Sequence, residues 1–130
     1  MVDDDACFLE VMKYFLEMEK YQFTGLTGTE DIIPLAQSIK PDLVLLDYLL
    51  PYKNGGELCC TLHRCRDLEH LPIVLISAYP EKQLRLDGVP FSLFIPKPFD
   101  LWYLLACMKK LLKHGLATRP ENAQGITEGC

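Results

Sequence analysis

The chain has 130 residues, 49% of them hydrophobic, and a formal net charge of −5, which fits one domain of ordinary size with enough apolar side chain to build a core without disulfides or a structural metal. No apolar run reaches the roughly 18 residues needed to span a bilayer, and the acidic start MVDDDACFLE is unlike the basic start of a secretory signal. A negative chain also disfavours direct nucleic-acid binding, which needs clustered Lys and Arg, so the expectation is a soluble, cytoplasmic protein.

Asp5 is a plausible N-cap for a helix over residues 6–19, in which Phe8, Leu9, Met12, Phe15 and Leu16 share one face. Residues 21–26 (YQFTGL) read as a short strand. Residues 30–40 read as a helix whose Pro34 belongs near the first turn, where its missing N–H costs least. The run DLVLL at 42–46, ending at Asp47, suits a strand buried on both faces of a parallel sheet.

After the loop PYKNGG the pattern turns helical over 56–67, and residues 72–77 (PIVLIS) form another buried strand. Residues 81–87 have room only for a short helix before Gly88, and 91–95 (FSLFI) form a third apolar strand. The last helix has Asp100 as its cap, Leu101, Leu104, Leu105, Met108, Leu111 and Leu112 on one face, and Gly115 as its stop. Lys109, Lys110, Lys113 and His114 then sit in its last turns, complementing the helix dipole. The organisation expected is one domain over 1–115 followed by a flexible tail over 116–130.

The cysteines, Cys7, Cys59, Cys60, Cys65, Cys107 and Cys130, form no C-x-x-C pair, and most fall in apolar helical patterns as small hydrophobes of a reducing compartment. Strand and helix alternate along the chain, so the fold class is α/β, a doubly wound parallel sheet with helices on both faces. In such a sheet, function gathers at the carboxyl ends of the strands. Asp3, Asp4, Asp47, Ser77 and Lys97 each end or follow an apolar run. Crowded carboxylates need a compensating cation, and oxygen-only ligands select a hard divalent ion such as Mg²⁺. With a hydroxyl and an ammonium added, the set suits phosphoryl transfer, and its one good nucleophile is a carboxylate. Taken singly these residues are caps, turns or solvated loop positions; it is their joint occurrence at strand ends that carries the reading.

The same stretches resemble the receiver domain of two-component response regulators. Val2–Asp5 (VDDD) is similar to that family's acidic pocket, Pro41–Pro51 (PDLVLLDYLLP) to its phosphoacceptor strand and loop, with Asn54-Gly55 where Asp-Gly is usual. Pro72–Ala78 (PIVLISA) is similar to its Ser/Thr strand and Phe94–Asp100 (FIPKPFD) to its Lys-Pro loop. The resemblance covers about residues 1–114 and implies five parallel strands in the order 2-1-3-4-5. It implies Asp47 as phosphoacceptor, Asp4 as a direct Mg²⁺ ligand, Asp3 as an indirect one, and the backbone carbonyl of Leu49 as a further ligand. Ser77 and Lys97 would hold phosphoryl oxygens, Phe94 would be the switch aromatic, and the Lys97–Pro98 peptide would be cis.

The implied partners are a sensor histidine kinase or a histidine phosphotransfer protein upstream and an effector downstream, with no nucleic acid and no membrane, and a homodimer is compatible with the fold. Such a module is a switch rather than an enzyme. Three features depart from the family: only Met1 and Val2 precede the acids where about five strand residues are usual, so the first strand is stunted or the chain begins earlier; the stretch from Ser77 to Lys97 is short; and Tyr79 is bulky beside the phosphoryl position. Two other readings compete. A phosphatase of the haloacid dehalogenase type would need an acid two residues after Asp47, where Leu49 stands. A binding module that no longer takes phosphate would have no use for the full reactive set.

Overall fold

Asp5 opens the first helix, α1 (Ala6–Met18), by accepting the Phe8 N–H on Oδ1 at 3.1 Å, which satisfies one of the amides that every helix start leaves over. The computed structural model describes residues 1–122, with side chains through Lys113. After α1 come α2 (Ile33–Ile39), β1 (Val44–Asp47), α3 (Gly55–Arg64), β2 (Ile73–Ser77), β3 (Leu93–Pro96) and α4 (Leu101–Asn122). Pro34 lies in the first turn of α2, as its missing donor requires. Asp100 caps α4, with Oδ1 accepting the Trp102 N–H at 2.7 Å.

Strands β1, β2 and β3 are parallel and neighbours in that order, with Asp47 beside Ile76 and Ser77 beside Pro96. Single parallel bridges extend the sheet: Val2 pairs with Leu46 on one side and Leu26 on the other. The sheet therefore runs Leu26, Val2, β1, β2, β3, which is the 2-1-3-4-5 order with its first two places held by bridges. Side chains alternate across it. Val44, Leu46, Ile73 and Leu75 pack with α2 and α3 residues such as Ala36, Leu58 and Leu62. Leu45, Val74, Ile76 and Ile95 pack on the other face with Met12 and Leu16 of α1 and Leu104 and Met108 of α4. Burial on both faces is what the unbroken apolar runs encode.

Three expectations are corrected. Residues 21–26 do not form a strand beyond the bridge at Leu26. Beside them stand Met1–Asp3, joined to them by the Met1 amino group to Thr24 O at 2.7 Å and by Leu26 N–H to Met1 O and Asp3 N–H to Leu26 O, both 2.9 Å, too short a partner for a ladder. The short helix of residues 81–87 is a single 3₁₀ turn, Glu81–Gln83, because the chain goes over to extended backbone at Leu84. Helix α4 does not stop at Gly115 but continues to Asn122, since one helical glycine costs only about 1 kcal/mol against alanine. The segment 116–130 is thus helical at its start, and residues 123–130 lie outside the described residues. No helix among the described residues is long and apolar enough to cross a membrane.

Next to Met1, between residues 20–24 and 42–45, lies a cavity of about 500 Å³ lined by Phe23, Leu35, Ile39, Leu43, Leu45 and Met108 among others. An extension of four or so apolar residues ahead of Met1 is expected to fill it as added strand buried on both faces. Burial at about 1.5–3 kcal/mol per side chain, set against about 1–2 kcal/mol per residue for ordering the backbone, leaves a net gain of about 2 kcal/mol. Thermal denaturation would then show Tm raised by roughly 5 °C, whereas an unchanged Tm means that the cavity does not accept strand.

Candidate functional site: an acidic pocket bridged by Lys97

The pocket sits at the carboxyl end of the sheet, where β1 delivers Asp47 and the Val2 bridge delivers Asp3 and Asp4. Hydrogen bonds clamp the two segments in register: Val2 N–H to Leu45 O and Asp47 N–H to Val2 O, both 2.9 Å. One carboxylate oxygen from each of Asp3, Asp4 and Asp47 lies within 4.8 Å of the others. Asp3 and Asp47 are buried and Asp4 is exposed.

Lys97, just past β3, reaches across this group. Its Nζ lies 2.8 Å from Asp3 Oδ2 and 3.1 Å from Asp47 Oδ2, and 5.1 Å from the centroid of the Phe8 ring. The two ends of the sequence reading, the VDDD start and the Lys-Pro loop, therefore meet in one ion-pair network. Burial works against the Lys97 ammonium, but the hydrogen bonds and charges of Asp3 and Asp47 outweigh it and hold its pKa above the usual lysine value. Asp47 is pushed above the ordinary carboxylate value, chiefly by burial and in smaller part by Asp3, with Lys97 and a hydrogen bond from the Leu49 backbone opposing.

Asp3 and Asp4 divide the work differently. Asp3 is fully buried, with Oδ1 accepting the Asp5 N–H at 2.9 Å and Oδ2 held by Lys97. Asp4 faces solvent. Oxygen donors alone, three carboxylates close together and one accessible from water form a set that fits a hard divalent cation.

The remaining expected residues surround the pocket. Ser77 is fully buried at the end of β2, and its Oγ accepts the Tyr79 N–H at 3.1 Å, while its carbonyl accepts the Lys97 N–H at 2.8 Å. The Lys97–Pro98 peptide is cis. Phe94 is half-buried on the α3 side of the sheet, two residues short of the Pro96 that pairs with Ser77. Leu49, two residues past Asp47, and Tyr79, two past Ser77, are 46% and 50% exposed.

Phe8 and Gly55, both named from the sequence, contribute more to the pocket than their sequence roles implied. Phe8 was assigned to the core face of α1, yet its ring also lies under Lys97 and meets Phe99 edge-on at 5.9 Å. Gly55 starts α3 so close to the Asp47 carbonyl that a Cβ would overlap it and would lie 2.9 Å from Tyr48 Cα. Only glycine lets the Asp47 loop close on the helix, where Gly55 N–H reaches Tyr48 O at 2.8 Å. Asn54 completes the closure through a capping box: Glu57 N–H to Asn54 Oδ1 at 2.8 Å and Asn54 N–H to Glu57 Oε1 at 3.1 Å. The Asn-Gly pair thus had a legible signal, a capping residue followed three positions later by Glu.

Comparison with known proteins decides the family. The profile of the response regulator receiver domain matches residues 1–109. The chain belongs to the response regulator receiver family. It is 34% identical over 116 residues to the phosphate regulon transcriptional regulatory protein PhoB of Rhizobium meliloti, covering 87% of this chain and 51% of that protein. The chain thus spans about half the length of such relatives. Among solved structures, a CheY-like response regulator receiver domain protein from Methanospirillum hungatei has a TM-score of 0.79 at 24% identity, over 89% of this chain and 93% of that one, and so shares the fold. The response regulator protein TrrA of Thermotoga maritima, solved in complex with Mg²⁺-BeF, has a TM-score of 0.74 at 26% identity, over 85% of this chain and 94% of its own. Receiver domains are signalling modules of two-component systems, and the acidic pocket described above lies within the matched residues.

Proposed function

We propose that this receiver domain is a switch phosphorylated on Asp47 and that the Lys97 network is the part of the site that the phosphoryl group rearranges. The observation that carries this reading is the position of Asp47: a buried strand-end carboxylate, its pKa raised, with one oxygen on Lys97 and with Asp3 and Asp4 close by. In the transfer, an Asp47 carboxylate oxygen forms a P–O bond as the donor's P–N bond to a phosphohistidine breaks, and the imidazole nitrogen keeps the electron pair. Lys97 and the Ser77 hydroxyl would each hold a phosphoryl oxygen. Ser77 must then give up its bond to the Tyr79 N–H, and Phe94 would turn inward to follow it. A sensor histidine kinase or histidine phosphotransfer protein would supply the group, and an effector would read the altered surface.

Mg²⁺, when bound, neutralises charge on the phosphoryl oxygens. Asp4 and Asp47 would be its direct carboxylate ligands, with the Leu49 carbonyl beside them, while Asp3 keeps Lys97 and would act through water. That TrrA was solved with Mg²⁺-BeF supports the choice of ion. Titration calorimetry is expected to show Asp4→Ala weakening Mg²⁺ binding by roughly tenfold or more, and equal affinity in wild type and variant would remove Asp4 from the ligand set. The whole reading is tested by treating the protein with a small acyl phosphate: gain of one phosphoryl group that requires Mg²⁺ supports it, and no gain refutes it.

The phosphorylated state is expected to be long-lived. Hydrolysis needs a water in line with the leaving Asp47 oxygen, and Leu49 and Tyr79 offer neither an amide nor a carboxylate to orient one. After removal of the donor, Leu49→Glu and Tyr79→Ala should lose phosphate about 10- to 100-fold faster than wild type. If neither is faster, these side chains do not set the lifetime.

A further inference from the structure

The cavity beside Met1, about 500 Å³ in volume, has backbone edges for two of its walls. In a parallel ladder, alternate residues bond to opposite sides. Val44 N–H turns toward β2 and reaches Pro72 O at 3.0 Å, while Leu45 O and Asp47 N–H turn the other way and are taken by Val2. By that alternation the Leu45 N–H and the Leu43 carbonyl point into the cavity. The opposite wall repeats the pattern. Thr24 O accepts from the Met1 amino group and Leu26 N–H reaches Met1 O, so the Thr24 N–H and Gln22 carbonyl come next along that edge. Among the described residues, no backbone group bonds to Leu43 O, Gln22 O or Thr24 N–H. Val2 already pairs with Leu26 on one side and Leu46 on the other, so the gap beyond it is one strand wide. Its two remaining faces are apolar, with Phe23, Leu43 and Met108 from one core cluster and Leu26, Ile32 and Ala36 from the other.

These walls specify the occupant. A lipid chain or a small apolar molecule would match the two apolar faces but leave the backbone groups of both edges without partners, which is costly away from water. An extended peptide satisfies both edges at once, which is recognition by strand addition. The Met1 amino group closes one end of the slot, so a bound segment finishes there. That group donates to Thr24 O at 2.7 Å and has further hydrogens to give, which a carboxylate accepts and another amino group does not. We propose that the slot binds the carboxyl-terminal end of another polypeptide, four or so apolar residues lying as a parallel strand between Gln22–Thr24 and Leu43–Leu45. Burial on both faces calls for an unbroken apolar run, and hydrogen bonding on both sides excludes proline within it. At the other end Lys20, Lys40 and Asp42, all exposed, line the slot, and the rest of the partner chain leads out past them. The site lies at the amino end of the sheet, opposite Asp47, and is independent of phosphoryl transfer there.

Fluorescence anisotropy tests this, with the 130-residue chain titrated into a labelled peptide that has a Gly-Ser-Gly leader and ends in Val-Ile-Val-Leu with a free carboxylate. Saturable binding with a Kd on the order of 10 μM is expected. Amidating the carboxyl terminus should weaken it by about fivefold or more. N-methylation of an interior peptide residue, which removes one strand hydrogen bond and leaves the protein untouched, should weaken it by about tenfold. A chain carrying the same four apolar residues fused ahead of Met1 should bind no peptide, because its own extension fills the slot, with circular dichroism confirming that it folds. Absence of binding, an affinity that amidation or N-methylation leaves unchanged, or equal binding by the fused chain would overturn the proposal.

Discussion

Lys97→Met is expected to lower the stability of the metal-free protein by about 2–3 kcal/mol at neutral pH and to uncouple any phosphoryl group from β3. Removing one member of a buried ion network leaves the others without a counter-charge, at a typical cost of about 3–5 kcal/mol. Here Asp3 and Asp47 would be left so, while the Lys97 side chain, 24% exposed, is already partly hydrated, which sets the lower figure. Methionine keeps an unbranched apolar stem of similar length, so the loss reports the charge, its 5.1 Å contact with the Phe8 ring included, rather than the packing. The deficit should shrink as pH falls, because protonation of Asp47, whose pKa is already raised, removes one of the two uncompensated charges. In wild type Asp47 already follows that direction. Its folded pKa is raised above the ordinary 3.8, so the folded state binds the proton more tightly, and the penalty is absent below 3.8 and full above the raised value. Thermal denaturation of both proteins across this range checks the claim; a variant as stable as wild type at neutral pH would show that Lys97 does not hold the pocket together.

Much of the fold was legible because its evidence is local. Asp5 and Asp100 announced their helices, and the runs at 42–46 and 72–77 declared strands buried on both faces. What was not legible depends on neighbours. The stretch 21–26 has strand composition, but a ladder needs a partner, and Met1–Asp3 supply only a bridge. Gly115 carried a stop signal that a helix can override at small cost. At the pocket, residue types at strand ends brought Asp3, Asp4, Asp47, Ser77 and Lys97 together on the page as the fold does in space. The pairing of Lys97 with Asp3 as well as Asp47, and the ring of Phe8 beneath it, come from three-dimensional convergence that no spacing in the chain encodes.

Asp47→Asn is expected to abolish phosphoryl uptake altogether while leaving the fold intact. Asparagine has nearly the same shape, can still face Lys97 with its amide oxygen, and removes a buried charge, so stability should not suffer. Its amide, however, is not a nucleophile toward phosphorus at neutral pH, and no other residue in the pocket stands ready to replace it. Asp3 is committed to Lys97 and the Asp5 N–H, and Asp4 lies out in solvent. Loss of the carboxylate should therefore be a loss of all labelling rather than a tenfold slowing. The direct measurement is to phosphorylate wild type with an acyl phosphate and Mg²⁺, reduce the acyl phosphate with borohydride, and locate the resulting homoserine by peptide mass spectrometry. The expected result is homoserine at position 47 in wild type and at no position in Asp47→Asn; homoserine at 3 or 4 in wild type, or equal labelling of the two proteins, would contradict Asp47 as the acceptor.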